Sequence, residues 1–470
     1  MNKLQGIMSY KALARGGKET FSTVRYGMSA VTFLGMALAL TGCTGAPMSV
    51  EEMSAALSVE LAAAPAEAAE PVSLSDGFGA ALARAVETNS GYRAALAQER
   101  EAASRIGLAE SVRKPQMSAD ANLGSIREFD SKGDKLTGIA GGISLSQLIY
   151  DGGESTAAIN RATAEALGAR AQRVVQANTL ALEAARAWID VWQFDQRIRL
   201  LQSRTSEIGA TVGQMERLAA NGLVDRAGLD SARRQLVGVR LEETRLQADL
   251  ADAQVRFRLH FRQPPGRLKQ PEELVALAVA RTQADAWRNA PSIEVWAASL
   301  VAARHGVEEA QAAFRPVIRL QTGLRTPMDT VDPASGSFGV GFSHSFFDGR
   351  RRVHQLEAAI ARKAAVEDQF REEQVTLEAE LLAAVERLAG IERSMPLVAE
   401  QIRLSEAEAE TSRSQITTGQ STLRQLVEAE VENYRAKDRQ IAMHAERQIL
   451  LLTIAARTGE LSRRINLQSE

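Results

Sequence analysis

Two stretches decide the fold of this chain: SQLIYDGG at residues 146–153 and SHSFFDGR at residues 343–350. Each closes a segment in which apolar and small or polar residues alternate, and each opens a long run with few helix breakers. Asp348 follows Asp151 by 197 residues. The shared pattern predicts two copies of one unit, neither of which buries its apolar face alone.

The alternating segments before these stretches predict two strands in each copy. They cover residues 117–125 and 139–149 in the first copy, and 318–325 and 338–346 in the second. Each has about the length of a tilted strand that crosses a bilayer. His344 falls on the apolar face of the last strand. A half-buried strand of a soluble sheet has the same period and stays open as an alternative.

The segments after these stretches predict very long helices. Residues 153–221 and 350–418 each give about 100 Å of helix. Each helix meets a turn glycine, Gly222 or Gly419, because glycine readily adopts the left-handed conformation that ends a helix. The second glycine again follows the first by 197 residues. A return helix after each turn completes an antiparallel coiled-coil-like hairpin, and a dimeric coiled-coil rod is the alternative.

The N-terminal region predicts export and a lipid anchor. Residues 1–42 have a net charge of +4 and contain a short apolar run that is typical of an export signal. The sequence LTGC, ending at Cys43, resembles the lipobox of bacterial lipoproteins, in which the cysteine is acylated. Residues 43–72 are rich in alanine, glutamate and proline, which favours a flexible tether.

The net charge argues against nucleic-acid binding, and the motif content argues against catalysis. The net charge of −2 leaves −6 after residue 42, whereas nucleic-acid binding needs a basic surface. The 5 histidines lack zinc-site spacing, and neither a nucleophile elbow nor a phosphate loop occurs. We therefore predict no catalytic residue, no cofactor and no metal.

These features together resemble the TolC-like outer membrane efflux proteins. The resemblance rests on Asn89 and Asn289 before each copy's first helix, on Pro115 and Pro316 before each strand pair, and on the two junctions and turn glycines. The resemblance implies an α+β membrane protein: a homotrimer whose four strands per protomer form a twelve-stranded barrel, continued by a periplasmic α-helical barrel of coiled-coil hairpins. The predicted regions are a signal peptide (1–42), a lipidated tether (43–72), a first repeat (73–263), a linker or equatorial region (264–290), a second repeat (291–460) and a C-terminal tail (461–470).

The resemblance also implies sites at the periplasmic tip. In the family, acidic residues six and nine positions after the second turn glycine line the constriction; here those positions hold Gln425 and Glu428. The neutral Gln425 departs from the family pattern. Arg226 and Arg424 are predicted to bridge the hairpins and hold the tip closed. The periplasmic turns and the adaptor docking site fall on Gly222, Leu223 and Gly419.

The function that the resemblance implies is a passive, gated outer membrane channel in a tripartite export system. Its partners would be a periplasmic adaptor, an inner-membrane ABC or proton-driven transporter, and outer-membrane lipid. We favour type I protein secretion because of the LIYDGG junction. Proton-driven drug or metal efflux is the alternative, and a lipid-tethered periplasmic coiled-coil protein without a pore is the alternative of another class.

Overall fold

The computed structural model describes residues 48–62, 70–127, 135–220, 226–326, 333–417 and 423–467. The chain divides into two compact units, residues 1–68 and 69–470. The signal peptide and Cys43 lie outside the described residues.

The described part of the first unit is one helix, α1 (Val50–Ala62), whose residues are all exposed. It begins with a reciprocal capping box, because the Ser49 N–H donates to Glu52 Oε2 at 2.8 Å and the Glu52 N–H donates to Ser49 Oγ at 3.1 Å. The segment predicted as a flexible tether therefore contains a helix. The prediction missed this capping box.

The second unit runs through the same order of elements twice. The first half contains α2 (Phe78–Glu87), α3 (Ser90–Ser111), β1 (Gln116–Arg127), β2 (Lys135–Tyr150), α4 (Glu154–Ala220) and α5 (Arg226–Phe261). The second half contains α6 (Leu277–Asp285), α7 (Pro291–Ala312), β3 (Val317–Thr326), β4 (Ser335–Ser343), α8 (Arg351–Thr417), α9 (Leu423–Arg457) and α10 (Glu460–Arg464). The helices α3 and α7 have 22 residues each, and α4 and α8 have 67 each. Equal lengths are what a duplicated unit requires.

The four strands form one antiparallel sheet in the order β1-β2-β3-β4. Met117 lies opposite Leu145, Ile143 opposite Leu324, and Leu320 opposite Val340. Directly opposed residues of antiparallel strands share a face. The register therefore gathers most of the apolar residues of the four strands on one side, as the alternation predicts.

The strand ends differ from the prediction. The strands have 12, 16, 10 and 9 residues, so β1 and β2 are longer than expected. The strand β4 ends at Ser343, which pairs with Val317. Beyond Val317 lies Pro316, which has no N–H to extend the ladder. His344 thus follows the strand, and its ring packs edge-on against Phe346 at 4.9 Å.

The core is centred on Trp188 of α4. Its ring centroid lies 5.5 Å from that of Phe78 and 5.7 Å from that of Phe261, so it joins α2, α4 and α5. The predicted linker packs here as well, because Trp188 Nε1 donates to the Lys269 carbonyl at 3.3 Å. Residues of the predicted tail are also packed. The Ser462 N–H donates to Asn178 Oδ1 at 2.9 Å, and Leu461, Ile465 and Leu467 are buried.

Candidate functional site

The apolar face of the sheet is exposed. Side chains that would form a core in a soluble sheet are largely open to the surroundings, and Phe338 is 78% exposed. Exposed apolar areas of this extent mark an interaction with another protein or a membrane. The exposed apolar residues on this face are Met117, Leu123, Ile139, Ile143, Leu145, Leu324, Phe338, Val340 and Phe342.

The opposite face is lined by small and polar residues. Ser118 and Ser144 face each other across β1 and β2, with their hydroxyl oxygens 2.8 Å apart. Glycine and serine occupy most of β4 on this side. Two large charged residues, Arg319 and Arg325 of β3, also lie on this face. A sheet with one apolar and one polar face suits lipid on one side and water on the other.

Each junction between the sheet and a long helix is capped by an aspartate. The Asp151 carboxylate accepts from the Gly153 N–H at 3.0 Å and from the Ser155 N–H at 2.8 Å. Burial disfavours its ionised form, but these hydrogen bonds outweigh burial and hold the pKa of Asp151 below its usual value. Asp348 binds the side chain of Arg352 at 2.7 Å, and this bond lowers the pKa of Asp348.

The glycine after each aspartate has a positive φ, 70° at Gly152 and 67° at Gly349. The Arg315 side chain crosses over the first junction, where Arg315 Nη1 donates to the Gly152 carbonyl at 2.6 Å. A Cβ on Gly152 would lie 2.4 Å from Arg315 Cβ, whereas a Cβ on Gly349 would meet open space. The first junction is therefore the more tightly packed of the two.

The predicted tip residues are only partly described. Gly222, Leu223 and Gly419 lie outside the described residues, and Arg226 is described as the first residue of α5. Arg424 Nε lies 3.8 Å from Glu428 Oε1, one turn along α9, and both side chains are exposed. Gln425 is exposed between them. Arg424 therefore pairs with a carboxylate on its own helix, and its bridging of the hairpins together with Arg226 stays a prediction.

A charged layer between the hairpins was missed by the sequence reasoning. Glu430 of α9 is buried and binds two arginines, Arg204 of α4 and Arg413 of α8. Further along, Arg197 makes a bidentate pair with Asp438, at 2.7 and 3.0 Å. The Arg204–Glu430 and Arg197–Asp438 pairs join α4 to the second hairpin. The two residues of each of these pairs are more than 200 residues apart along the chain, so a sequence pattern carries no local signal for them.

Among the described residues, no helix is both long enough and apolar enough to cross a membrane. The family model "Outer membrane efflux protein" matches residues 81–259 and 284–460, one segment in each copy of the repeat.

Among known proteins, the outer membrane efflux protein BepC of Brucella suis is 24% identical over 302 residues, which are 60% of this chain and 63% of BepC. The alignment thus spans less than two thirds of that relative. The solved outer membrane channel CmeC of Campylobacter jejuni matches with a TM-score of 0.71 at 13% identity, covering 85% of this chain and 92% of CmeC. The open-state outer membrane channel MtrE of Neisseria gonorrhoeae matches with a TM-score of 0.68 at 16% identity, covering 82% of this chain and 89% of MtrE.

These structural likenesses show the fold, in which a small antiparallel sheet is continued by long helical hairpins. The family match places the chain in the outer membrane. The chain belongs to the outer membrane efflux protein family.

Proposed function

We propose that three copies of this chain close into one barrel and form a passive, gated channel of a tripartite export system. The observation that carries the proposal is the sheet itself: its apolar face is exposed, and its edge strands β1 and β4 each have one unpaired side. An open edge in lipid leaves backbone polar groups unsatisfied, and closure removes the edge. Pairing β4 of one copy with β1 of the next closes the sheet.

We propose further that the tip of the hairpins is the gate. Three exposed Glu428 side chains, one from each copy, would form an acidic ring that favours cations. Arg424 and Gln425 lie near this carboxylate on α9. Arg226 begins α5, the return helix of the first hairpin. The buried layer around Glu430 holds the two hairpins of each copy together behind this ring.

The partners in this proposal are an adaptor protein, which docks at the turns around Gly222, Leu223 and Gly419, and an inner-membrane transporter. We favour type I protein secretion, with an ABC transporter, because of the LIYDGG junction at residues 148–153. A proton-driven efflux pump is the second candidate, favoured by the name of BepC as an efflux protein. In both cases the N-terminus would be anchored through an acylated Cys43.

The experiment is affinity purification of the full chain from its native cells after mild crosslinking, with identification of the captured inner-membrane protein. Type I secretion predicts an ABC transporter, and efflux predicts a proton-driven pump. Capture of an adaptor without an ABC transporter or a proton-driven pump would contradict both candidate functions. A Leu223→Glu variant should lose the adaptor while keeping its trimer, which separates docking from assembly.

A further inference from the structure

Two arginines on the polar face of the sheet have no role in the function described above. We propose that Arg319 and Arg325 form two cationic rings inside the barrel, which make this segment selective for anions and fit it to cargo that carries carboxylate or phosphate groups. The inference rests on the proposed channel, because only a closed barrel turns this face into a lumen.

The register assigns both arginines to the polar face. Arg325 lies opposite Gly142 on one side and Ser335 on the other, and Arg319 lies opposite Leu148 and Gly341. The apolar residues Leu320 and Leu324 are on the other face of the same strand. Arg325 therefore has small neighbours on both sides, and Arg319 has one small neighbour, Gly341, and one apolar neighbour, Leu148. Both arginines lie on the face opposite the exposed apolar residues, so they are not placed as lipid headgroup anchors.

The described part of this face carries two arginines against one aspartate, Asp120. Asp120 shares a row with Arg325, but β2 lies between them, so their backbones are about 10 Å apart. Asn122 Nδ2 is 3.4 Å from the Asp120 carboxylate. Each copy thus leaves a net positive charge on this face.

The two rings are not equivalent. They are separated by six residues of β3, or about 20 Å along the strand. Arg319 is half-buried, and Glu154 at the start of α4 lies within its electrostatic reach. Arg325 is exposed. We therefore expect the Arg325 ring to have the larger effect on passing ions.

The barrel is narrow enough for these charges to act at its axis. Twelve strands spaced about 4.8 Å apart and tilted about 40° give a radius of about 12 Å. The arginine side chains shorten the distance from charge to axis to less than the Debye length of about 10 Å at 0.1 M salt. Rings of arginine or lysine select anions in other pores by the same electrostatic effect.

The test is the reversal potential of the full-length protein in planar bilayers under a KCl gradient at about 10 mM salt, where screening is weak. All variants carry Glu428→Gln, so that the cation preference of the acidic ring at the tip does not hide the effect of the arginines on ion selectivity. Relative to this background, Arg319→Ser with Arg325→Ser should lower the chloride-to-potassium permeability ratio at least about twofold. Arg325→Ser alone should account for most of the change. Lysine at both positions should preserve the ratio, and Gln321→Ser, on the same face between them, should leave it unchanged.

A second readout uses inorganic tripolyphosphate as a blocker, added on the side of the bilayer that faces the strand turns. The background protein should be blocked, and the double serine variant should need a several-fold higher concentration. An unchanged permeability ratio together with unchanged block would overturn the inference while leaving the channel intact. If the wild-type protein forms no channels at all, the proposed function fails, and the inference fails with it.

Discussion

At the scale of single residues, the junction between strand and helix depends on a few strained or capped positions. Gly152 and Gly349 occupy equivalent places in the two copies and share a positive φ, but their surroundings differ. The same repeat places Arg350 at a φ of 69°, where the first copy has Gly153. A side chain in this conformation costs roughly 1–2 kcal/mol.

The two junction glycines give a matched pair of substitutions. Gly349→Ala should lower the free energy of unfolding by about 1 kcal/mol, because it adds only backbone strain. Gly152→Ala adds a clash with the Cβ of Arg315 and should cost about 1–3 kcal/mol more. Urea unfolding of the two variants in detergent checks this difference. Equal losses would show that Arg315 does not pack against the junction as described.

The cap at Asp151 predicts a dependence of stability on pH. Its pKa is lowered in the folded chain, so the charged cap stabilises the protein above the unfolded pKa of about 3.9. That contribution is lost as pH falls through the still lower folded pKa. In Asp151→Asn, which keeps a capping oxygen, we expect less acid-induced loss than in the wild type between about pH 5 and pH 2. Thermal unfolding followed by circular dichroism gives the comparison, and identical pH profiles would contradict it.

At the scale of elements, two helices carry apolar stripes that the described residues of one protomer leave exposed. Val237, Leu241, Val255 and Leu259 follow one side of α5. A second stripe on α8 consists of Val375, Leu382, Leu397 and Leu404. Both have near-heptad spacing, which is the spacing of helices that pack against a neighbour along their length. In the proposed trimer, the stripe on α5 of one copy faces the stripe on α8 of the next.

A charge placed in this stripe should prevent assembly. Leu241 is 72% exposed in the protomer, so Leu241→Asp should leave the fold of one copy unchanged. In a trimer the same charge would be buried without a partner, at a cost of several kcal/mol at each interface. Blue native electrophoresis should therefore show loss of the trimer. Gln247→Asp, at an exposed position on α5 outside the stripe, should assemble normally; a stable Leu241→Asp trimer would contradict the assigned interface.

The scale of elements is also where sequence reasoning worked best. The alternation in Met117 to Leu123 and the absence of strong helix breakers around Trp188 are local signals, so the strand faces and the long helices were predictable. The end of β4 was missed because it depends on Pro316, which directly precedes the neighbouring strand β3. The Arg204–Glu430 pair was missed because it joins distant segments of the chain.

At the scale of the whole molecule, we propose that the apolar face, the open edges and the helical stripes are completed only by further copies of the chain. Assembly would cover the apolar surface that is exposed in one protomer. Export would then depend on assembly, because the described residues of a single copy contribute 4 strands, which cannot close a barrel.

The most direct test is native mass spectrometry of the full-length protein, released from detergent after extraction from membranes. We expect one dominant species with the mass of three chains, dissociating to single chains only under conditions that also unfold the sheet. A single chain that stays folded in the gas phase and remains soluble once detergent is removed would contradict the proposed trimer.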